Sequence, residues 1–317
     1  MTMFAESSAP AKIILCGEHA VVYGQPAIAI PLPTIRAIAR AFAPKSFGQK
    51  LRILAHDVGE EFSFTDLKDF DRNNPLLLAA NLFFALNKMD IPDLTVDITS
   101  MIPVASGLGS GAAVTTAFVR VLAKVTERPI DDNDLNKIVY SVEKIHHGTP
   151  SGIDNTVIVY EHPVYFVRNQ SIEKFAFGNP MTFVIADTGI GAETHLAVAD
   201  VRTLYDANIQ KISSIINEIG HIVKGVRQAI SSGDNKKIGQ LMTQNHKLLQ
   251  ELTVSSSELD NLVETALSCG AIGAKLSGGG RGGNMIALVD NLNTVHIKDK
   301  LLKAGARKVF EVSVGNH

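Results

Sequence analysis

Pro103-Val104-Ala105-Ser106-Gly107-Leu108-Gly109-Ser110-Gly111-Ala112-Ala113 is the stretch from which the rest of the chain is read. Its spaced glycines let backbone N–H groups approach an anion with no Cβ in the way. The breaker-poor run that follows, 114–124, predicts a helix whose N-terminus offers unpaired donors and the positive end of a dipole. A loop that feeds a helix in this way suits a polyphosphate, although a bare Gly-x-Gly serves close packing equally well. No Gly-x-x-x-x-Gly-Lys-Ser/Thr pattern occurs in the chain, so a Walker-type loop is excluded.

Upstream, segments 12–16, 27–30, 36–42 and 51–55 are rich in alternating and β-branched residues and predict strands. Asn74 before Pro75 predicts an N-cap and first helical position, opening a helix to about residue 89, with a strand at 94–99 after it. Downstream, Asp131-Asp132-Asn133 predicts the start of a helix over 134–145 that ends near Gly148, and 157–160 with 164–167 predict a strand pair. From residue 181 the pattern changes. A strand to Asp187 is followed by helical stretches 193–230, 235–252 and 257–269, then strands 284–289 and 308–314 with a helix at 294–303 between them. The boundary is expected near residue 180, dividing an N-terminal domain, 1–180, from a C-terminal α+β domain, 181–317, with ferredoxin-like layering. A length of 317 residues, more than one hydrophobic core usually serves, favours such a division.

A formal net charge of −2 shows no basic excess of the kind that marks a nucleic-acid partner. The apolar runs fall far short of the roughly 18 residues that span a bilayer. Residues 1–10 lack a basic start followed by an apolar stretch, so a cytoplasmic location without a membrane partner is expected. Cys16 and Cys269 lie far apart in apolar surroundings, without Cys-x-x-Cys spacing, and are expected as reduced thiols, buried or half-buried.

Three further constellations carry chemistry. Glu143-Lys144-Ile145-His146-His147-Gly148-Thr149-Pro150-Ser151-Gly152-Ile153-Asp154 sets one carboxylate on a helix and the other after a turn of Gly, Pro and Ser. Such a turn can bring both to one site, one to hold Mg²⁺ on ATP phosphates and the other to receive or orient an alcohol proton. Glu143 is equally at home as a solvated helix residue. The adjacent His146 and His147 lack partners at metal spacing and are assigned no metal.

Lys12 opens an otherwise apolar strand, where a buried lysine needs a partner. Gly17 then permits a turn that projects Glu18 and His19 toward a hydroxylated ligand or leaves them as ordinary turn residues. Last, Lys275-Leu276-Ser277-Gly278-Gly279-Gly280-Arg281-Gly282-Gly283 is dense in glycine for a plain loop. Bare backbone there can line a ligand, with flexible-turn duty as the alternative.

Taken in this order, the three glycine-bearing motifs resemble the GHMP kinase superfamily. Gly17-Glu18-His19-Ala20-Val21-Val22-Tyr23-Gly24 and His147-Gly148-Thr149-Pro150-Ser151-Gly152-Ile153-Asp154-Asn155 resemble its mevalonate kinase branch. His19 and Tyr23 carry that choice: phosphomevalonate kinases tend to have a tyrosine where His19 stands, and galactokinases follow Gly-Glu-His with a Thr-Asp pair. The resemblance runs along the whole chain. It implies an α+β two-domain fold, with a ribosomal S5-like α/β N-terminal domain and a ferredoxin-like α+β C-terminal domain. It also implies ATP as co-substrate, Mg²⁺ as cofactor, and phosphorylation of the C5 hydroxyl of (R)-mevalonate in isoprenoid biosynthesis.

Carried over position by position, the resemblance implies that Lys12 and Asp154 flank the substrate hydroxyl, and that Glu143, helped by Ser110, binds Mg²⁺. Pro103, Gly107, Leu108, Gly109, Ser110, Gly111 and Ala112 are implied to hold phosphates. Glu18, His19, Ser151, Gly152 and Thr194 are implied to touch the acceptor. Ser277, Gly278, Gly279 and Gly280, counted with the substrate-binding residues, close over the phosphates.

The chain departs from the family pattern in two places. Gly111 replaces the second serine of Gly-Leu-Gly-Ser-Ser-Ala, a frequent Mg²⁺ ligand, so water or Ser110 must substitute. Arg281 stands in a normally small-residue stretch, to contact phosphate or face solvent. The rival readings are a mevalonate 3-kinase, a phosphomevalonate kinase, and a non-catalytic ligand-binding relative, the last opposed by Lys12, Glu143 and Asp154. Family analogy alone extends to a homodimer.

Overall fold

In the computed structural model the described residues are 2–44, 48–104, 106–147, 150–168, 170, 172–192, 194–290 and 292–315, the side chains of His146 and His147 apart. The alternating patterns near the N-terminus become strands longer than the sequence marks: β1 (Met3–Cys16) and β2 (Ala27–Phe42), then a hairpin of β3 (Leu51–Ala55) and β4 (Glu60–Phe64). Along the far half of β2, Ile35, Ala37, Ala39 and Ala41 are buried while their neighbours are half-exposed, the signature of a sheet covered on one face. Asn74 begins α1 (Pro75–Asn87) as predicted, its side chain accepting from the N–H groups of Leu76 and Leu77 at 3.0 and 3.1 Å. There follow β5 (Leu94–Ser100), α2 (Ser110–Val125), α3 (Asp132–His147) and α4 (Ile153–Tyr160).

The chain forms two compact units. The first comprises Met1–Ala11, Ile35–Val104 and Gly109–Glu161. Its strands run β4-β3-β5-β2, with β3 parallel to β5 and the other pairs antiparallel. α2 is buried nearly all round, its small residues Ala112, Ala113 and Ala117 letting α1, α3 and α4 pack against it. Residues 157–160 are not a strand but the end of α4. Val157, Ile158 and Val159 favour a strand by propensity, yet all three are buried, and packing overrides propensity. Gly152 at φ 91° starts that helix, and the Thr156 hydroxyl closes its first turn by donating to the Gly152 carbonyl at 2.7 Å.

The second unit comprises Lys12–Thr34, Ala105–Leu108 and His162–His317. The near half of β2 pairs with β6 (Val164–Phe166), which pairs with β7 (Glu173–Lys174). Then come β8 (Met181–Asp187), α5 (Thr194–Ala207), α6 (Ile209–Ser232), α7 (Asn235–Glu251), α8 (Ser257–Ser268), β9 (Gly273–Ser277), β10 (Asn284–Val289), α9 (Thr294–Lys303) and β11 (Lys308–Val314). The last four strands named with β8 among them form an antiparallel sheet in the order β11-β8-β10-β9, the β-α-β-β-α-β path of the expected ferredoxin-like layering. The central strands β8 and β10 are buried along their whole length.

Residues 193–230, expected as one helix, divide at Asn208. Its side chain accepts from the Lys211 N–H at 3.0 Å and starts α6, a capping signal that apolar periodicity passes over. Cys16 is buried and Cys269 half-buried, both as free thiols. Among the described residues no helix is long and apolar enough to cross a membrane.

Candidate active site

At the end of β1 the chain must turn at once. Gly17 has φ 101°, and a Cβ there would lie 2.5 Å from the Ala27 Cα, so only glycine fits. The turn buries the two polar residues that follow. His19, itself at φ 60°, is 6% exposed and donates from Nε2 to the Gly279 carbonyl at 3.0 Å. Burial, with help from the Arg281 and Lys275 charges, holds its pKa down at about 4, so the ring is neutral near pH 7. Glu18 is 2% exposed, and its Oε1 pairs with Nζ of Lys275 on β9. Burial pushes the Glu18 carboxyl upward, against the opposing pull of the Lys275 charge and of nearby N–H groups. Among the described residues Glu18 Oε2 and His19 Nδ1 have no hydrogen-bond partner.

The same unit stitches β1 to the second glycine cluster. The Ser277 hydroxyl accepts from the Ile14 N–H and donates to the Ile14 carbonyl, both at 3.0 Å. Lys12, also buried, donates its N–H to the Leu108 carbonyl at 3.0 Å. A Cβ on Gly279 would sit 2.4 Å from Thr194 Oγ1, and one on Gly280 would sit 1.9 Å from the Val254 carbonyl oxygen. Glycine at these positions is therefore demanded by other segments of the chain. Gly107 and Gly278 face one another more loosely, the nearest contact of an added Cβ being 3.7 Å on either side. Lys12, Glu18, His19, Gly107, Leu108, Thr194, Ser277, Gly278, Gly279 and Gly280 thus belong to one unit. Arg281 turns to protein groups, pairing with Asp200 on α5 and donating from Nε to the Thr253 carbonyl at 3.3 Å.

The remaining predicted residues belong to the first unit. Gly109, at φ 76°, caps α2 without a side chain of its own to bond the first-turn N–H groups of Ser110, Gly111 and Ala112. Glu143 is 4% exposed, which removes the solvated-helix reading. Its Oε1 would lie 3.0 Å from a Cβ placed on Gly111, so the carboxylate reaches the first turn of α2. Asp154 stands half-buried in the first turn of α4, behind Ser151, whose hydroxyl accepts from the Ile153 N–H at 3.4 Å, and Gly152. Pro103 is half-buried ahead of the loop. The helix stop predicted near Gly148, and the His146 and His147 side chains, lie outside the described residues.

A buried carboxylate beside an open helix N-terminus, with the Ser110 hydroxyl in the same turn, suits the sparse protein share that Mg²⁺ takes. Among the described residues no group of three or more His, Cys, Asp or Glu converges as a cage. A cation bound here would complete its shell with phosphate oxygens and water.

The family resemblance implies no role for Lys275. Its signal was the one that marked Lys12, a lysine between apolar strand neighbours, here Ala274 and Leu276. His246 on α7 was also passed over. Its Nδ1 accepts from the Leu276 N–H at 3.3 Å, its Nε2 lies 3.1 Å from Asp260, and burial holds its pKa at about 4.

Two family models match the chain and define its class: GHMP kinases N terminal domain over residues 75–162 and GHMP kinases C terminal over residues 226–307. The mevalonate kinase of Pyrococcus abyssi is 36% identical in an alignment that covers 89% of this chain and 88% of that protein. The crystal structure of L. major mevalonate kinase in complex with R-mevalonate superposes with a TM-score of 0.84 at 28% identity, covering 98% of this chain and 96% of that one. Streptococcus pneumoniae phosphomevalonate kinase, in complex with phosphomevalonate and AMPPNP, shares the fold with a TM-score of 0.79 at 20% identity, covering 98% of this chain and 100% of that one. The chain belongs to the GHMP kinases and, among them, to the mevalonate kinase family.

Proposed function

We propose that this chain transfers the γ-phosphoryl group of ATP to the C5 hydroxyl of (R)-mevalonate, releasing ADP and 5-phosphomevalonate. The observation that carries the reading is the likeness to mevalonate kinases over nine-tenths of the chain. The buried Glu18–His19 turn, whose His19 separates this branch from phosphomevalonate kinases in sequence, supports it. In the reaction the C5 oxygen bonds to the γ-phosphorus, the bond from that phosphorus to the ADP oxygen breaks, and the hydroxyl proton leaves.

Phosphoryl transfer asks mainly for positioning and charge stabilisation. The 107–112 loop and the open N-terminus of α2 are assigned to the phosphates, with Pro103 setting the entry. Glu143 and Ser110 are assigned to Mg²⁺, which would neutralise phosphate charge when bound. Asp154 accepts or steers the hydroxyl proton. Lys12 offsets negative charge on the transferring group. Glu18, His19, Ser151, Gly152, Thr194 and residues 277–280 shape the acceptor side. A division near residue 180 is our domain assignment, supported by family matches that fall on either side of it. A cytoplasmic homodimer completes the reading, the dimer by family analogy.

The test is ADP release by the purified protein with ATP and Mg²⁺ and, in turn, mevalonate, phosphomevalonate, galactose, homoserine or no acceptor. Mevalonate-dependent turnover yielding the 5-phosphate is expected. Turnover with another acceptor alone would replace the acceptor, a 3-phosphate product would replace the hydroxyl, and no turnover with any would overturn the kinase reading.

A further inference from the structure

Lys275 is fully buried on β9, yet nothing in the chemistry above uses it. A lysine is kept in such a place only where partners offset the loss of water. Its Nζ donates to Glu18 Oε1 and to the Leu276 carbonyl. Segments 14–19 and 275–279 are thereby tied three times. The Ser277 hydroxyl holds the Ile14 backbone at 3.0 Å, Lys275 holds the Glu18 carboxylate, and His19 holds the Gly279 carbonyl at 3.0 Å. The neighbouring strand position is fixed from behind, the Leu276 N–H meeting His246 at 3.3 Å. Lys275 therefore lies on a strand tied from behind, whereas Glu18 and His19 lie on a turn with positive φ at Gly17 and, at the cost of strain, at His19.

We infer that Lys275 is a positioning residue: by gripping the Glu18 carboxylate it holds the Gly17–His19 turn against the second glycine cluster, so that acceptor binding depends on a lysine that does not itself touch the acceptor. The inference rests on the proposed function for the identity of the acceptor and on this geometry for the rest. An ion pair that merely stabilised the fold would be replaceable by two neutral groups. A positioning pair is not, because an amide facing an apolar side chain has nothing to fix its direction.

The variants are Lys275→Met, Glu18→Gln and the double variant Glu18→Gln/Lys275→Met. Lys275→Met buries an uncompensated carboxylate and is expected to lower Tm, or to prevent folding. The double variant buries no charge and is expected to regain Tm, while its KM for mevalonate stays raised about tenfold or more and its KM for ATP changes little. A second readout needs no turnover. The ¹⁵N signal of the His19 ring, assigned with His19→Gln, is expected to report a neutral, Nε2-protonated ring in the wild type and a loosened one in the double variant. A double variant with wild-type KM for mevalonate and a wild-type His19 signal overturns the inference. Should the wild type not turn over mevalonate, the proposed acceptor fails separately, and the His19 signal alone decides: altered supports positioning, unchanged overturns it.

Discussion

Replacing Gly279 by alanine adds one methyl group at a crowded contact of the proposed acceptor side. Position 279 has no positive φ to forbid alanine, so the perturbation is purely steric. The new Cβ would lie 2.4 Å from Thr194 Oγ1, 2.8 Å from Thr194 Cβ and 2.9 Å from Thr194 Cα, whereas ordinary contact begins at 3.4 Å. Rotating the threonine hydroxyl away relieves the first overlap and leaves the other two. Thr194 at the start of α5, or the 279 backbone that His19 binds, must then move by at least roughly 0.6 Å, the difference between 3.4 and 2.8 Å. Overpacking of this kind costs about 1–3 kcal/mol, and misplacement of reacting groups by about 1 Å costs on the order of 100-fold in rate. Gly279→Ala is therefore expected to remain folded with Tm lowered by a few degrees and kcat/KM for mevalonate lowered about 10- to 100-fold. Steady-state kinetics and a thermal melt test it, with Gly191→Ala as control, since a Cβ at that position meets nothing within 4 Å. Wild-type kcat/KM and Tm for Gly279→Ala would refute the argument that this glycine exists to admit Thr194.

Asp154→Asn is expected to lower kcat about 10²- to 10⁴-fold with little change in the KM for ATP, because the lost interaction belongs to the proton in flight; an unchanged kcat removes Asp154 from the mechanism. Gly111→Ser places a Cβ 3.0 Å from the flexible end of Glu143, so the variant should fold. The added hydroxyl beside the carboxylate should let the enzyme saturate at lower Mg²⁺; a need for more Mg²⁺ would show that the carboxylate has been pushed out of place. Stability should fall on acidification: His19 and His246 are held by burial at about 4, below the 6.5 of an unfolded histidine. Between those values the unfolded chain binds more protons, so each ring's contribution is complete above pH 6.5 and is lost toward pH 4, at most about 3 kcal/mol apiece. Glu18, raised by burial, works in the opposite sense and softens the loss. Thermal melts from pH 7 to pH 4 should show a shallower slope for His246→Gln than for the wild type, and equal slopes would contradict the assignment.

Signals contained in a few neighbouring residues were legible beforehand. Asn74 and Pro75 announce α1 because cap and first turn are local chemistry, and the strands and helices read after residue 180 supply three of the four strands of the β-α-β-β-α-β path, β9 being hidden in the run up to the glycine cluster. What escaped depends on distant partners. Val157, Ile158 and Val159 spell a strand until α2 and α3 bury them as a helix. Glu143 looks like a solvated residue until α2 arrives beside it, and burial cannot be read from one helix face. Lys12 and Lys275 bear the same local mark, a cation amid apolar strand residues. Only the fold reveals that Lys275 meets Glu18.

The glycines show why composition alone leaves packing and binding confounded. In sequence, Gly107, Gly278, Gly279 and Gly280 are equivalent signs of bare backbone. In the fold they separate by what a side chain would strike. At 279 and 280 it would strike Thr194 and the Val254 carbonyl within 2.4 Å, and at 283 the Ser106 carbonyl at 2.8 Å, so protein already occupies the space beside these residues. At 107 and 278 the nearest atoms are 3.7 Å away, and what excludes other residues is positive φ, 83° and 97°. A backbone kept in a left-handed conformation without being crowded turns its amide in a direction other residues rarely adopt while leaving room beside it. We therefore assign the proposed ligand-lining role first to Gly107 and Gly278, with Gly279 and Gly280 bringing Thr194 and Val254 close.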